Sequence, residues 1–243
     1  MKHEIDGIRQ IMIRFLRLTA AIFCACVAAS AHPARPFVTD DARIVDPGGC
    51  QIESFVKSQR RFGETELWFL PGCTPAGTPV ELTLGGLRID NAADGKSAAI
   101  IGQAKMLLKP LETNGWGAAL TLGATRVNPV SPPPGSHWSP YFNLVSSFSY
   151  ANDATVIHAN LGSTRDTIAG ATRLNWGLGT EIAITQRLYG IAESYALEAE
   201  KPSTQVGLRF WAVPNRLQFD GTLGSQSATR SRAWISLGVR ALF

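Results

Sequence analysis

The chain has 243 residues, with 23 Lys and Arg against 19 Asp and Glu and a formal net charge of +4. The basic residues alternate with apolar ones instead of forming a stripe, which argues against a nucleic-acid-binding protein. The four histidines and four cysteines form no motif for metal, phosphate or dinucleotide chemistry. We therefore expect no cofactor.

The first 31 residues have the pattern of a secretory signal peptide. Arg14 and Arg17 precede an apolar run over 18–27, and the tripeptide Ala-Ser-Ala at 29–31 matches a signal-peptidase site. The run is shorter than the roughly 20 residues that a membrane helix needs, and no later stretch reaches that length. We expect cleavage before His32, and any membrane span must consist of β-strands.

Residues 32–48 form an N-terminal periplasmic or lumenal segment without an alternating pattern. Asp40-Asp41 and Pro47-Gly48-Gly49 have the composition of turns. The segment could fold into the lumen of the structure predicted below, cover its periplasmic mouth, or act as a spacer without function. If it fills the lumen, transport requires it to move.

From about residue 50 the chain divides into alternating runs of roughly 8 to 13 residues, separated by clusters of Gly, Pro, Asn and Asp. Alternation with a period of two indicates β-strands, and helical periodicity is nearly absent. The pattern predicts twelve strands, at 50–58, 65–72, 79–89, 98–109, 115–126, 140–150, 154–163, 172–185, 187–196, 203–213, 216–224 and 232–243.

The predicted connections alternate in length. Most odd-numbered ones are long and polar, such as 89–96, 127–140 and 162–170, whereas most even-numbered ones are tight, such as 151–153. Outer-membrane barrels combine short periplasmic turns with longer external loops. Strands of a soluble β-sandwich are also shorter, about five or six residues. The sequence predicts an all-β fold, a transmembrane antiparallel up-and-down barrel of about 12 strands over 49–243 in the bacterial outer membrane.

Strand parity sorts the side chains into two sets. One parity predicts a lipid-facing aromatic girdle at the periplasmic interface, formed by Trp116, Phe148, Tyr150, Phe210 and Phe243. The other parity supplies candidates for lining the lumen, namely Glu81, Lys105, His158, Asn160, Arg173, Glu181, Arg209, Asp220 and Arg240. These mixed charges could line a narrow polar path or cross-link the wall. Parity does not decide the ninth strand, where one face carries Tyr189, Ile191, Glu193 and Tyr195.

Two cysteines fit the first predicted hairpin. A turn centred on Arg61-Phe62 pairs Cys50 directly with Cys73, and opposed positions on antiparallel strands lie within disulfide range. A bond would persist in the oxidising periplasm. Two thiols with no histidine nearby make a poor metal site. We predict a Cys50–Cys73 disulfide.

The last ten residues form a period-two strand that ends in Phe243. This strand resembles the C-terminal signal strand of bacterial outer-membrane β-barrels. The resemblance implies two partners, the barrel assembly machinery and the lipid of the outer membrane.

Five short segments carry a further resemblance: RPFVTDDARIVDPGGC at 35–50, ELTLGG at 81–86, IHANLG at 157–162, NWGLGTE at 175–181 and QVGLRFWAVPNRLQFD at 205–220. They resemble the outer-membrane proteins grouped under the heading "meta-pathway of phenol degradation". That resemblance implies a passive channel or transporter for small hydrophobic or aromatic compounds. It supplies no catalytic residues.

Two other functions stay open. A structural or surface-interaction barrel would use the lumen charges only for stability, although the modest loops disfavour a large receptor-binding surface. An outer-membrane acyl hydrolase is suggested by the His-x-Ser spacing of His137 and Ser139, with Asn143 on the same parity. Because that tripeptide follows three prolines and its parity points to the lumen, we expect a protein that is not an enzyme.

Overall fold

The computed structural model describes residues 37–59, 63–92, 95–128, 138–167, 169–226 and 233–243. The predicted signal peptide, the beginning of the N-terminal segment and the proposed turn at 61–62 lie outside the described residues. Within that part of the chain, no helix is long and apolar enough to cross a membrane.

The described residues form twelve strands: β1 (Cys50–Gln59), β2 (Glu64–Cys73), β3 (Val80–Asn91), β4 (Gly95–Lys109), β5 (Trp116–Asn128), β6 (Trp138–Tyr150), β7 (Thr155–Asp166), β8 (Ala171–Ala183), β9 (Leu188–Leu197), β10 (Ser203–Val213), β11 (Leu217–Gln226) and β12 (Ala233–Leu242). The prediction of twelve strands is confirmed, and the predicted bounds differ from these by three residues or fewer.

Each strand pairs with the next in antiparallel fashion, and β1 also pairs with β12. The closing seam runs from Gln51 opposite Leu242 to Ser58 opposite Ile235. Closure leaves no open sheet edge, so the wall satisfies its own backbone donors and acceptors, as a strand structure in lipid requires. The predicted up-and-down barrel is therefore confirmed.

The predicted difference between long odd-numbered and short even-numbered connections is wrong in two of the hairpins. β3 and β4 stay paired as far as Asn91 opposite Gly95, and β7 and β8 as far as Asp166 opposite Ala171. The polar side chains at these positions led to the prediction of loops. However, the hydrogen bonds of a ladder join backbone groups, so the strands continue beyond the apolar band whatever their side chains are. We call the barrel end with the odd-numbered connections the odd-turn end and the opposite one the even-turn end.

The outer face of the barrel carries a band of exposed apolar side chains on every strand except β9. Members of the band that are about half exposed or more include Leu67, Leu84, Leu122, Leu144, Leu161, Leu178, Leu208, Leu223 and Leu237. A continuous apolar surface of this kind is unfavourable in water and is the exterior expected of a barrel in lipid.

Aromatic side chains mark the edges of this band. The five residues predicted as a girdle all lie on the outer face near the even-turn end, with exposures from 37% for Phe148 to 71% for Phe243. Trp116 pairs directly with Phe148 across β5 and β6. Near the odd-turn end, Trp138 and Phe142 are exposed on the same face, a second aromatic group that the sequence analysis did not single out.

A disulfide joins Cys50 to Cys73, as predicted. The two residues are opposite each other in the ladder between β1 and β2. The amide of Cys50 also donates to the carbonyl oxygen of Phe243, at 2.7 Å. The bond therefore ties the first hairpin at the point where the C-terminus closes the barrel.

Reducing this disulfide should lower the free energy of unfolding. The cysteines are 23 residues apart, and the chain-entropy model gives about 3 kcal/mol for a loop of that size. Urea-induced unfolding in lipid vesicles, with and without reductant, measures the difference. The Cys50→Ser, Cys73→Ser double variant should match the reduced protein, and an unchanged midpoint would contradict the expectation.

Neighbouring positions on β6 test the two faces of the wall. Leu144 is 49% exposed on the outer face, so Leu144→Arg places a charge in hydrocarbon and should cost about 2 to 4 kcal/mol. Asn143→Arg, the matched control, points into a cavity of the lumen and should assemble normally. Heat-dependent mobility on gels reports assembly, and equal defects in the two variants would refute the facing assignment.

Candidate functional site in the barrel lumen

Most of the predicted lumen residues lie on the inner face and are buried. This group contains Glu81, Lys105, His158, Asn160, Glu181, Arg209, Asp220 and Arg240. Arg173 also faces inward, but it lies near the odd-turn end, is half exposed and forms an ion pair with Glu200 at 3.2 Å. The interior is therefore polar and charged, and its ionic groups are withdrawn from solvent.

The lumen is filled by residues 37–45, which we call the N-terminal plug. The sequence left three roles open for the segment 32–48, and the structure places this part of it inside the barrel, whereas the exposed residues 46–48 lead to β1. Phe37, Thr39, Asp41, Ala42 and Val45 are each at most 4% exposed. An extended segment without a sheet partner needs acceptors for its backbone N–H groups.

Side chains of the wall supply these acceptors. The amides of Val38 and Thr39 donate to the two carboxylate oxygens of Glu193, at 2.8 and 2.7 Å. Asp40 and Asn160 form a reciprocal pair, because the Asp40 amide donates to Oδ1 of Asn160 at 2.6 Å and Nδ2 of Asn160 donates to the Asp40 carbonyl oxygen at 2.8 Å. Side chains of β7 and β9 thus pair with plug backbone groups that have no neighbouring strand.

The second half of the plug is held in the same way. The amide of Ala42 donates to Oγ of Ser147, and that of Val45 to Oε2 of Glu81, both at 2.8 Å. The donors and acceptors come from β3, β6, β7 and β9 together with the plug, so the contacts surround the segment. Displacing the plug would leave several wall carboxylates and amides without partners.

Ion pairs add to these hydrogen bonds. Nζ of Lys105 lies 2.7 Å from a carboxylate oxygen of Asp40 and 3.1 Å from one of Asp41. Thr121 donates through Oγ1 to Asp40 at 3.1 Å. Buried charges are tolerated when they are paired and hydrogen-bonded, so Lys105 and the two aspartates stabilise the plugged state only as a group.

Two glycines of β8 make room for the plug. A Cβ atom on Gly179 would lie 2.4 Å from the ring of Phe37, and one on Gly177 would lie 2.8 Å from Oγ1 of Thr39. Neither distance is possible for real atoms, because both are far below van der Waals contact. The Gly-rich run 175–181 therefore forms a shallow recess in which the first plug residues lie.

A second group of buried charges lies on the inner face of β8, β10 and β11. Arg209 donates through Nε to Asp220 at 2.9 Å and through Nη1 to Glu181 at 2.8 Å. Gln218 donates to the other oxygen of Asp220 at 2.7 Å. These residues come from β8, β10 and β11, so the group cross-links strands that are not all neighbours in the ladder.

A hydrogen-bonded chain leads from this group to the plug. Nε2 of His158 lies 3.2 Å from Glu181, and Nδ1 lies 2.8 Å from Oγ of Ser147. With Nε2 protonated, Nδ1 accepts the Ser147 hydroxyl proton, and that oxygen accepts the Ala42 amide. The order Ser–His–carboxylate matches that of hydrolases. However, Ser147 and His158 are fully buried, so in this conformation the chain supports the plug and no substrate can reach the hydroxyl.

The hydrolase candidate from the sequence lies elsewhere. His137 falls outside the described residues, whereas Ser139 and Asn143 lie on the inner face of β6. Nδ2 of Asn143 donates to Oδ1 of Asn160 at 2.9 Å. Asn143 is therefore part of the polar lining and is not placed beside a described nucleophile and base.

Among the described residues, two cavities lie beside the plug. One of about 40 Å³ lies among charged residues that include Asp40, Glu53, Lys105 and Arg240. The other, of about 280 Å³, lies on the side of the odd-turn end and is lined by residues that include Val38, Asn143, Asn160, Asn175, Tyr195 and Leu197. We call this larger cavity the vestibule. The plug forms part of its lining.

Three residues that hold the plug were not among the predicted lumen candidates, namely Glu193, Ser147 and Thr121. Glu193 lay on the ambiguous face of β9, which the structure turns inward, with Ile191 and Glu193 both buried. The outward face of that strand carries the small residues Gly190, Ala192 and Ser194. The one indication in the sequence that this face points into the lumen was the carboxylate of Glu193, which shares the face with large side chains. Ser147 had none, since serine occurs on either face of such strands.

The fold is similar to that of solved outer-membrane barrels. The chain is 11% identical to the COG4313 outer membrane channel from Pseudomonas putida F1, with a TM-score of 0.54, covering 84% of this chain and 98% of that one. It is 9% identical to KdgM porin, with a TM-score of 0.53, covering 79% of this chain and 99% of that one. It is 10% identical to NanC porin, with a TM-score of 0.52, covering 79% of this chain and 98% of that one. At such identities the likeness shows the fold alone.

No curated protein matches the chain. None of the reported names contains the heading "meta-pathway of phenol degradation", so that narrower family stays a prediction. A family described as "Uncharacterised conserved protein UCP029691" matches residues 20–243, which include all twelve strands and the plug. The chain therefore belongs to this family.

Proposed function

We propose that this protein is an outer-membrane channel for small solutes whose lumen is closed by its own N-terminal plug. The observation that carries the proposal is that a separate segment, and not the wall alone, fills the interior. The ladder from β1 to β12 is complete without the plug. Displacing the plug therefore breaks side-chain contacts and leaves the barrel wall intact.

The vestibule supports a small substrate that combines an apolar body with polar groups. Its volume of about 280 Å³ is at the lower end of ligand cavities. Tyr195 and Leu197 offer apolar surface, and the amide oxygens of Asn143 and Asn175 have no hydrogen-bond partner among the described residues. We therefore keep small aromatic or otherwise hydrophobic compounds as the proposed substrates, with the refinement that hydroxyl or similar groups on them would be recognised.

The proposed location is the bacterial outer membrane, with the odd-turn end outside the cell. It is supported by the closed barrel, the apolar outer band and the aromatic residues at its edges. The C-terminal strand β12, which ends beside the exposed Phe243, is the segment we propose for recognition by the barrel assembly machinery.

A structural barrel without transport is the second candidate. The observation that favours it is the density of buried polar contacts, in which Arg209, Glu181 and Asp220 are at most 4% exposed. Such a network stabilises a closed interior whether or not the plug ever leaves. A conductance measurement separates the two functions.

The location predicts a simple fractionation result. The protein should be recovered with the outer membrane, begin near His32, and migrate faster on gels when it is not heated, because barrels of this kind resist detergent. Deleting Phe243 should lower the yield of the fast-migrating form. Recovery as a soluble protein whose mobility does not depend on heating would contradict the proposed location.

Weakening the plug should open the channel. In Glu193→Gln the carboxamide has one acceptor oxygen, so either the Val38 or the Thr39 amide loses its partner, and removing a buried acceptor costs about 1 to 3 kcal/mol. Channel openings in planar bilayers should become at least roughly fivefold more frequent. This is the change in the open population expected when the plugged state is destabilised by about 1 kcal/mol. A variant lacking residues 37–47 should conduct steadily.

Glu112→Gln is the matched control, since Glu112 lies in an even-numbered connection and its carboxylate pairs with Lys109 on the surface. It should leave the frequency of opening unchanged. Silence of the Glu193→Gln variant and of the plug-deleted variant, with normal heat-dependent mobility in both, would favour the structural barrel.

A further inference from the structure

Basic side chains lie on the outer face of the barrel at the odd-turn end. They are Arg88 on β3, Lys96 on β4, Arg126 on β5 and Arg165 on β7, and all four are exposed. Each has the same strand parity as exposed apolar residues of its strand, such as Leu84, Ile100, Leu122 and Leu161. These cations therefore point away from the lumen, toward whatever surrounds the barrel.

Their pairing differs from that of the lumen cations. Inside, Lys105 and Arg209 each contact carboxylates. Outside, Lys96 pairs with Asp90 at 3.3 Å, but no carboxylate of the described residues forms an ion pair with Arg88, Arg126 or Arg165. Arg165 donates instead to the hydroxyl of Thr172 at 3.2 Å. The three arginines thus carry a positive charge that no carboxylate of the described residues neutralises by an ion pair.

Two of the arginines flank an aromatic side chain. Arg126 lies opposite Trp138 in the ladder between β5 and β6. Arg165 follows Thr164, which lies opposite Tyr141 in the ladder between β6 and β7. The two arginines are thus separated by one strand and by an offset of two residues along it, about 12 Å between their backbones. The half-exposed Trp138 lies on the strand between them.

The height of this group places it at the edge of the hydrocarbon. Arg126 is four residues beyond the exposed Leu122 of the apolar band, or about 13 Å along the strand. Tryptophan prefers the same interfacial level. In the described part of the chain, the outward strand positions of β10, β11, β12, β1 and β2 at this end are uncharged: Thr204, Ser225, Ala233, Ser58 and Thr65. The exposed Lys201 lies in the connection before β10.

We propose that Arg88, Arg126 and Arg165, together with Trp138, form a patch that binds anionic, phosphate-bearing lipid headgroups of the leaflet at the odd-turn end. Guanidinium groups bind phosphate oxygens in bidentate fashion, and the position at the interface presents them to headgroups and not to solutes in the lumen. The tryptophan ring would pack against the part of the lipid that adjoins the phosphate. The lipid supplies the counter-charge that the described carboxylates do not.

The test measures lipid retained by the purified full chain in neutral detergent, using native mass spectrometry with phosphatidylglycerol and phosphatidylcholine as probes. The unchanged protein should retain phosphatidylglycerol preferentially. The Arg88→Gln, Arg126→Gln, Arg165→Gln variant should lose about fivefold in affinity for each arginine removed. The single Arg126→Gln variant should lose about fivefold in affinity for phosphatidylglycerol. This variant provides the test if the triple variant assembles poorly.

The matched control removes three cations at the even-turn end, as Lys109→Gln, Arg187→Gln, Arg216→Gln, and should retain phosphatidylglycerol normally. Equal retention by the control and the Arg126→Gln variant would overturn the proposal, as would equal retention of the two lipids by the unchanged protein. Displacement of the lipid by millimolar inorganic phosphate would also overturn it, because the site would then be one for free phosphate. The measurement involves no conductance, so its result is separate from that of the proposed channel.

Discussion

The structure depends on one requirement, that the backbone of the plug be hydrogen-bonded inside a barrel whose strands already pair with one another. Each strand has a neighbour on both sides, so side chains of the wall accept the plug amides. Glu193, Asn160, Ser147 and Glu81 do this from four different strands. The polar character of the inner face follows from that requirement as much as from contact with water.

Charge balance is the second consequence of closing the lumen. A buried ion that loses its partner destabilises a protein by roughly 3 to 5 kcal/mol, so the cations and carboxylates of the interior are useful only in combination. Lys105 joins the plug to β4, and Arg209 joins β10 to β8 and β11. The first group includes the plug and the second does not. Moving the plug would therefore disturb the first group while the second keeps the wall together.

The two faces of the wall deal with cations in opposite ways. Inside, Lys105 and Arg209 are matched by acidic side chains of the same chain. Outside, at the odd-turn end, Arg88 and Arg126 have no described carboxylate within ion-pair distance, and the surrounding leaflet is the available source of negative charge. The same residue types thus have different partners because a strand alternates between an enclosed interior and an open exterior.

The sequence by itself determined the barrel. Alternation of polar and apolar residues over strands of 10 to 15 residues does not depend on how the side chains pack, and it specifies both the strands and the face on which each side chain lies. It also determined the Cys50–Cys73 pairing, because a hairpin register follows from where its turn is centred. Loop lengths were less predictable, since ladder bonds at Asn91 and Asp166 do not depend on side-chain polarity.

Only the tertiary structure decided that residues 37–45 enter the lumen, and that Glu193 and Ser147 contact them there. These contacts join residues more than 100 positions apart, and no local pattern specifies which acceptor an irregular segment will find. Local alternation is a property of each strand alone, whereas the contents of the lumen depend on all twelve strands being closed around it.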